Sequence, residues 1–314
     1  MVTLPPPATQ QTMYFVGVTT SKSSIMKVFP RWIKALGVDA VLKGIDVEIH
    51  APGEDYRQVV DFMKNDPLSA GALVTTHKID LLTAARDRFE GLDKYAEILG
   101  EVSSISKRGD ELWGHAKDPI TSGLALEAFL PENWWKETDG EALIFGAGGS
   151  ALAISMYMMD PRHGENRPSK VVVTNRSKPR LEEMQRIHRE LDYGVPCEYH
   201  HCPEFEQNDA VLGSMPPCSL VMNSTGLGKD RPGSPVTDAG VFPEKGLAWD
   251  FNYRGDLKFL DQARGQQADR QLTVEDGWIY FIHGWTQVIA EVFHLEIDAE
   301  KLRELDSLAA EVRG

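Results

Sequence analysis

The sequence predicts an α/β protein whose second part is a doubly wound parallel sheet, and three observations carry that reading. From Met13 onward, short apolar runs alternate with amphipathic stretches, as βαβ units around a mostly parallel sheet require. The apolar run Ala142–Phe145 leads straight into the turn Gly146-Ala147-Gly148-Gly149-Ser150 and then into an apolar helical run over 152–159. From that run onward the chain offers roughly six strand-like stretches, as a doubly wound dinucleotide-binding sheet needs.

Residues 14–18 read as a strand and 25–36 as a helix, for which Ser24 can supply the cap. Strand 41–49, helix 56–63, strand 72–74 and helix 79–89 continue the alternation. Near residue 100 the pattern changes. Residues 102–105 and 111–114, separated by Lys107-Arg108-Gly109-Asp110, read as a hairpin with a Gly-Asp turn. Asp118-Pro119 opens a helix through Phe129, since Asp followed by Pro is a favoured helix start. Residues 131–140 form a polar, tryptophan-bearing connection. Past the glycine turn, strands are expected at 170–174, 197–200, 220–223, 247–251 and 271–274, and a helix at 181–191. The tail, 277–313, is helical, with apolar Val288, Ile289, Val292, Phe293 and Leu295.

At 314 residues the chain has room for one large or two medium domains. A net charge of −14, with no stripe of Lys or Arg, argues against nucleic acid or an anionic membrane as partner. Cys197, Cys202 and Cys218 lack CxxC spacing and cannot all pair, which fits a reduced, cytoplasmic compartment. His200-His201 beside Cys202 has no second ligand pair at zinc spacing, so no metal is expected. The first residues lack a charged and then apolar leader, and no run approaches membrane-spanning length. A soluble, unexported protein is expected.

The spacing Gly146-x-Gly148-x-x-Ala151 is the dinucleotide fingerprint in its alanine-ended form. Gly146 permits the turn, Gly148 lets the backbone approach a pyrophosphate, and Ala151 lets helix and strand pack closely. The pyrophosphate would rest on unpaired N–H groups at the helix start. An NAD site carries an acid at the end of the next strand to bind the ribose hydroxyl. Here that end reads Asn175-Arg176-Ser177-Lys178-Pro179-Arg180. A guanidinium grips a 2′-phosphate, and cations are otherwise disfavoured at a helix N-terminus. NADP is therefore favoured over NAD.

Four loops can carry chemistry. Ser21-Lys22-Ser23-Ser24 and Thr75-Thr76-His77-Lys78 follow strands of the first part, Asp118 opens a helix, and Asn223-Ser224-Thr225-Gly226 follows a strand of the second part. Each has a plain structural alternative: a helix cap at Ser24 or Asp118, a solvated charge at Lys78.

Together these pieces resemble the shikimate dehydrogenase family, quinate dehydrogenases included, over nearly the whole chain. Gly17 through Ser21 and Ser23 is similar to that family's carboxylate-binding serine pair, and 74–78 to its Val-Thr-x-Pro-His-Lys block, with Lys78 at the catalytic lysine. Gly114-His115-Ala116-Lys117-Asp118 with Gly123 resembles its Gly-x-Asn-Thr-Asp block, with Asp118 at the catalytic aspartate. The glycine loop, the Asn175-Arg176-Ser177 and Arg180 clamp, 223–226, and Asp250-Phe251-Asn252-Tyr253 match further blocks in order. The resemblance implies a discontinuous fold. Residues 1–120 and 278–314 would form an α/β substrate domain to which the C-terminal helices return, and 121–277 a Rossmann NADP domain, with substrate in the cleft between them.

It also implies roles. Lys78 and Asp118 would be catalytic, the lysine exchanging the alcohol proton; its usual pKa of about 10.4 must be lowered, or the proton relayed by water. Ser21, Ser23, Thr75, Ser103, Tyr253 and Gln287 would bind a small carboxylated cyclic polyol. Gly146, Ala147, Gly148, Gly149, Ser150, Asn175, Arg176, Ser177, Arg180, Asn223, Ser224, Thr225 and Gly277 would bind NADP. A monomer or homodimer is expected.

Departures from the pattern cluster on the hydroxyl-reading side: Ser103-Ser104 and Ala116-Lys117 each replace Asn-Thr, Thr76 replaces a proline, and Gly284 stands at a glutamine, with Gln287 one turn on. Gly255 and Lys258 replace a Pro and a Thr. Unmatched buried polar groups are costly, so shikimate itself would be a poor fit. Lys117, His77 and His115 add positive charge suited to a second acidic group. The competing readings are an NAD-dependent quinate or other cyclitol dehydrogenase, and a ligand sensor without turnover.

Overall fold

The computed structural model describes residues 2–229 and 231–313. Its chain divides into two units, Met1–Lys117 with Gly284–Gly314, and Asp118–His283; the junctions expected from sequence stood at 120/121 and 277/278.

The first unit holds β1 (Thr12–Gly17), α1 (Ile25–Ala35), β2 (Val41–Asp46), α2 (Gly53–Asn65), β3 (Ser69–Val74), α3 (Lys78–Ala85), β4 (Gly91–Leu92), α4 (Lys94–Leu99), β5 (Ser104–Arg108) and β6 (Glu111–His115). The sheet order is β2-β1-β3-β5-β6-β4. β1 runs parallel to both β2 and β3. Every residue of β1 and β3 is buried, as strands covered on both faces should be. Tyr14, Val16, Val59, Val60, Met63, Leu81 and Leu82 share one core.

The expected hairpin is β5–β6 with its turn at Gly109-Asp110 as read, but its first strand runs further along the chain, over Ser104–Arg108 rather than 102–105. Its ladder runs until Arg108 faces Glu111 across Gly109-Asp110, with Gly109 at φ +61°. Lys107 belongs to the ladder, paired with Leu112, and its ammonium reaches inward to the Asp66 carbonyl at 2.7 Å. Ser24 does not cap α1. Its backbone is already helical and its hydroxyl makes no cap bond, because a 3-10 turn at Thr20–Lys22 leads almost directly into the helix.

The C-terminal helix Ala299–Ala310 returns to this unit and packs along α1. The buried Trp32 indole donates to the Leu305 carbonyl at 2.6 Å, and Lys301 Nζ to the Ala35 carbonyl at 3.1 Å.

The second unit holds α5 (Asp118–Glu127), α6 (Trp134–Thr138), β7 (Ala142–Phe145), α7 (Gly149–Met159), β8 (Val171–Asn175), α8 (Lys178–Leu191), β9 (Cys197–His201), α9 (Phe205–Gly213), β10 (Leu220–Asn223), β11 (Leu247–Asp250), α10 (Lys258–Arg270) and β12 (Thr273–Glu275). Helix α11 (Trp278–Phe293) starts in this unit and ends in the first, and α12 is the Ala299–Ala310 helix. The connection expected at 131–140 contains α6, because Trp135 is buried as a core residue rather than left in a solvated loop.

All strand pairs here are parallel, in the order β12-β11-β10-β7-β8-β9. The order reverses between β7 and β10, and in doubly wound sheets ligands bind at the strand ends of that switch point. Helix α7 is buried almost all round, which fits its nearly unbroken apolar sequence. It packs against α5 so closely that a Cβ on Gly123 would lie 2.2 Å from the Tyr157 ring.

Candidate functional site

In the second unit, the β7–α7 corner is built for close backbone approach. Gly146 has φ +108°, and a Cβ there would sit 2.9 Å from Ser224 Oγ. Its N–H donates to the Thr174 carbonyl at 2.8 Å, tying the corner to β8. Gly148 stands at the start of α7 with nothing within 4 Å of where a Cβ would be. Gly149 is exposed and Ser150 half-exposed, so the first N–H groups of α7 face open space beside a fixed turn. A phosphate fits such a corner.

At the end of β8, Asn175 Nδ2 donates to the Ser177 carbonyl at 3.2 Å. Arg176 and Arg180 are exposed, and neither has an ion-pair partner among the described residues. Two unneutralised guanidiniums thus flank the N-terminus of α8, where the helix dipole opposes them.

The 223–226 loop is arranged differently from expectation. Asn223 is fully buried, and its amide is used internally: Nδ2 donates to Asp250 Oδ2 at 3.0 Å and to the Leu227 carbonyl at 3.2 Å, while Oδ1 accepts from Thr225 Oγ1 at 2.7 Å. Ser224 Oγ turns back to the Phe145 carbonyl at 2.8 Å. These side chains shape the loop beside Gly146 and offer it nothing further. Asp250 accepts from the Asn252 N–H at 2.8 Å, yet burial pushes its carboxyl up to about 6. Gly277 is required by packing, since a Cβ would lie 2.0 Å from the Phe251 carbonyl oxygen. Tyr253 lies between Trp278 and Phe281, at 5.6 and 5.0 Å. Asp118 is half-buried at the first position of α5, and its carbonyl accepts from Ser122 Oγ at 2.7 Å.

In the first unit, Lys78 is half-buried at the first position of α3, and its backbone is held on both sides. Its N–H donates to the Thr75 carbonyl at 3.2 Å and its carbonyl accepts from Val102 N–H at 3.2 Å. Thr75 Oγ1 donates to the Val16 carbonyl at 3.4 Å. Ser21 is exposed and Ser23 half-exposed at the end of β1. Ser21 lines a depression of about 760 Å³ together with Thr20, Asp46, Glu48 and Asp55. That acidic lining is unfavourable for a carboxylate, which sets Ser21 apart from Ser23. Gln287 is half-buried on α11, and a Cβ on Gly284 would meet nothing within 4 Å.

The positive charge expected from Lys117, His77 and His115 is not on offer. Lys117 Nζ lies 2.7 Å from Glu291 Oε2, with both side chains largely buried. His115 is buried beside Ser106 Oγ at 2.9 Å and Glu291 Oε1 at 3.2 Å. His77 is buried with Nδ1 3.1 Å from the Tyr56 hydroxyl. Burial holds both histidines below their usual pKa, so both are neutral near pH 7. Burial alone would raise the Glu291 carboxyl, but the hydrogen bond from Lys117 and the neighbouring charges bring it below its usual value.

Glu291 gave no signal in the sequence. A lone acid on a helical tail is unremarkable, and its partner is 174 positions away. Ser103 reaches the same segment, accepting at Oγ from the Lys117 N–H at 2.8 Å.

No family model matches the chain. It is 26% identical to the shikimate dehydrogenase (NADP(+)) of Bartonella henselae over 215 residues, 68% of this chain and 64% of that protein, under two thirds of its length. It is likewise 26% identical to that of Streptococcus thermophilus over 73% of this chain and 74% of that protein. Shikimate dehydrogenases are its homologues. In fold, the Thermus thermophilus shikimate 5-dehydrogenase solved with NADP(H) and shikimate superposes with TM-score 0.69 at 20% identity, covering 96% of this chain and all of that one. Quinate dehydrogenase of Corynebacterium glutamicum, solved with NAD, gives 0.75 at 19% identity over 94% of this chain and 98% of that one. The chain shares its fold with these two solved structures over nearly its whole length. Among the described residues, no helix is long and apolar enough to cross a membrane.

Proposed function

We propose that the protein is an NADP-dependent oxidoreductase that interconverts a secondary alcohol and a ketone on a small, carboxylated, shikimate-like ring. The observation that carries this reading is the pairing of an open glycine corner at Gly148 with two unneutralised arginines, Arg176 and Arg180, after the next strand. Homology to shikimate dehydrogenases (NADP(+)) supports the reaction class.

Gly146, Ala147, Gly148, Gly149 and Ser150 would hold the pyrophosphate, and Arg176 and Arg180 the 2′-phosphate. Asn223, Ser224, Thr225 and Gly277 would act by fixing the backbone around that corner. The nicotinamide, when bound, supplies or accepts the hydride. Lys78 exchanges the proton of the reacting hydroxyl, and Asp118 orients and balances its ammonium. Ser23, with Ser21, Thr75, Ser103, Tyr253 and Gln287, holds the ring. With Lys117 neutralised, the substrate carries a single acidic group rather than two, and Ala116 and Gly284 favour a ring with fewer hydroxyls than shikimate.

The deciding experiment is a screen of shikimate, quinate, their dehydro forms and related cyclitols with both nicotinamides, following cofactor absorbance. NADP-linked turnover of one ring acid is expected. Preference for NAD would move the protein to the cyclitol dehydrogenase reading, and tight binding without turnover would make it a sensor.

A further inference from the structure

We propose that Glu291 is a positioning residue for Asp118, acting through Lys117; the inference rests on the reading of Asp118 as catalytic.

Residues 115–117 lead directly into Asp118, and each of them is held by polar contacts within the first unit. The Ser103 N–H donates to the His115 carbonyl at 2.9 Å. The Ala116 N–H donates to Asp93 Oδ1 at 3.2 Å, the same oxygen that caps α4 through the Ala96 N–H at 2.7 Å. The Lys117 N–H donates to Ser103 Oγ at 2.8 Å. Backbone bonds alone leave the Lys117 ammonium to be placed, and Glu291 places it, at 2.7 Å with side-chain exposures of 15% and 19%. The other carboxylate oxygen of Glu291 faces His115 Nε2 at 3.2 Å and Arg108 Nη2 at 3.9 Å.

A partly buried ion pair of this kind is poor as a general stabiliser, because desolvating two charges offsets most of their attraction. Its effect is specificity of placement. If Glu291 loses its charge, the partly buried lysine that has lost its partner moves toward solvent and strains the 115–117 segment that leads into Asp118. A displacement of about 1 Å at a reacting group costs up to about a hundredfold in rate. Lys117 is therefore an anchor for its neighbour, not a contact for substrate.

The test compares wild type with Glu291→Gln, Lys117→Met, the double variant and Glu291→Asp, reading steady-state kinetics on the ring acid the screen identifies, NADPH binding by fluorescence, and amide hydrogen exchange at Ala116 and Lys117. Glu291→Gln should lower kcat about tenfold to a hundredfold, with substrate KM and NADPH affinity within about twofold. Lys117→Met should do the same, and the double variant should be no worse than either single one, because the two residues act as a unit. Exchange at Ala116 and Lys117 should quicken in Glu291→Gln and be largely restored in Glu291→Asp, which keeps the charge. Unchanged exchange, or kcat losses that multiply in the double variant, would overturn the proposal while leaving the oxidoreductase reading intact. If wild type turns over no ring acid, that reading fails instead, and the exchange rates still decide whether Glu291 holds the segment.

Discussion

Asn223 donates its side-chain amide to Asp250 across 3.0 Å, joining β10 to β11 where neither side chain meets solvent. The bond lies under the loop that packs on Gly146, so the geometry of the phosphate corner depends on a buried carboxyl whose pKa burial has pushed up to about 6.

The sign of the resulting pH dependence follows from linkage. The folded pKa lies above the unfolded one, so the folded state binds the proton more tightly. The stability contributed by Asp250 is complete below about pH 4 and is lost as pH rises through about 6. Asp250→Asn should remove that slope, so the difference in unfolding free energy between variant and wild type should grow by about 2–3 kcal/mol from pH 4 to pH 7. Urea unfolding at the two pH values measures it; a constant difference would contradict the assignment.

His188 gives the opposite slope. It is buried between Ser155 Oγ at 2.8 Å and the Tyr199 hydroxyl at 2.7 Å, and burial lowers its pKa to about 4. Its folded pKa lies below the unfolded value, so its contribution is complete above about pH 6.5 and is lost as pH falls toward 4. His188→Gln should be less stable than wild type at pH 7 and approach it at pH 4. Thermal melts across that range show it, and a gap that widens on acidification would refute it.

How much of this was legible in the sequence depends on the range of the signal. The glycine corner, the six strands of the second unit and the Gly109-Asp110 turn are local patterns, and they stand where expected. Trp135 was misread because a helix as short as α6 has no periodicity to detect. Lys117 and His115 were misread for a different reason. A charge in a sequence carries no mark of its partner, and Glu291 is brought to them by helix α11, far along the chain. Asn223 was expected to face a ligand, yet its amide is consumed by Asp250, which is also remote in sequence.

The two glycines of the corner should separate folding from binding. Gly148→Ala adds a methyl into open space, so melting temperature should barely change while NADPH affinity falls at least tenfold. Gly146→Ala forces a residue with a Cβ into φ +108° against Ser224, at a cost of about 1–3 kcal/mol of stability. Equal NADPH binding by Gly148→Ala and wild type would mean that no phosphate approaches there.

Arg176 should discriminate between the nicotinamides. A guanidinium paired with a 2′-phosphate makes short, charge-assisted bonds, so Arg176→Ala should lower kcat/KM for NADP about tenfold to a hundredfold and leave NAD nearly unaffected. Parallel loss with both cofactors would assign Arg176 to the fold rather than to the clamp.

The central claim is that Lys78 handles the proton of the reacting hydroxyl, and the most direct measurement is kcat of Lys78→Ala beside wild type on the ring acid identified by the screen, with saturating NADP. Proton transfer by a positioned side chain contributes about 10²–10⁴ in rate. The account predicts a fall in kcat of that size with NADP binding preserved; a variant that turns over at close to the wild-type rate would contradict it.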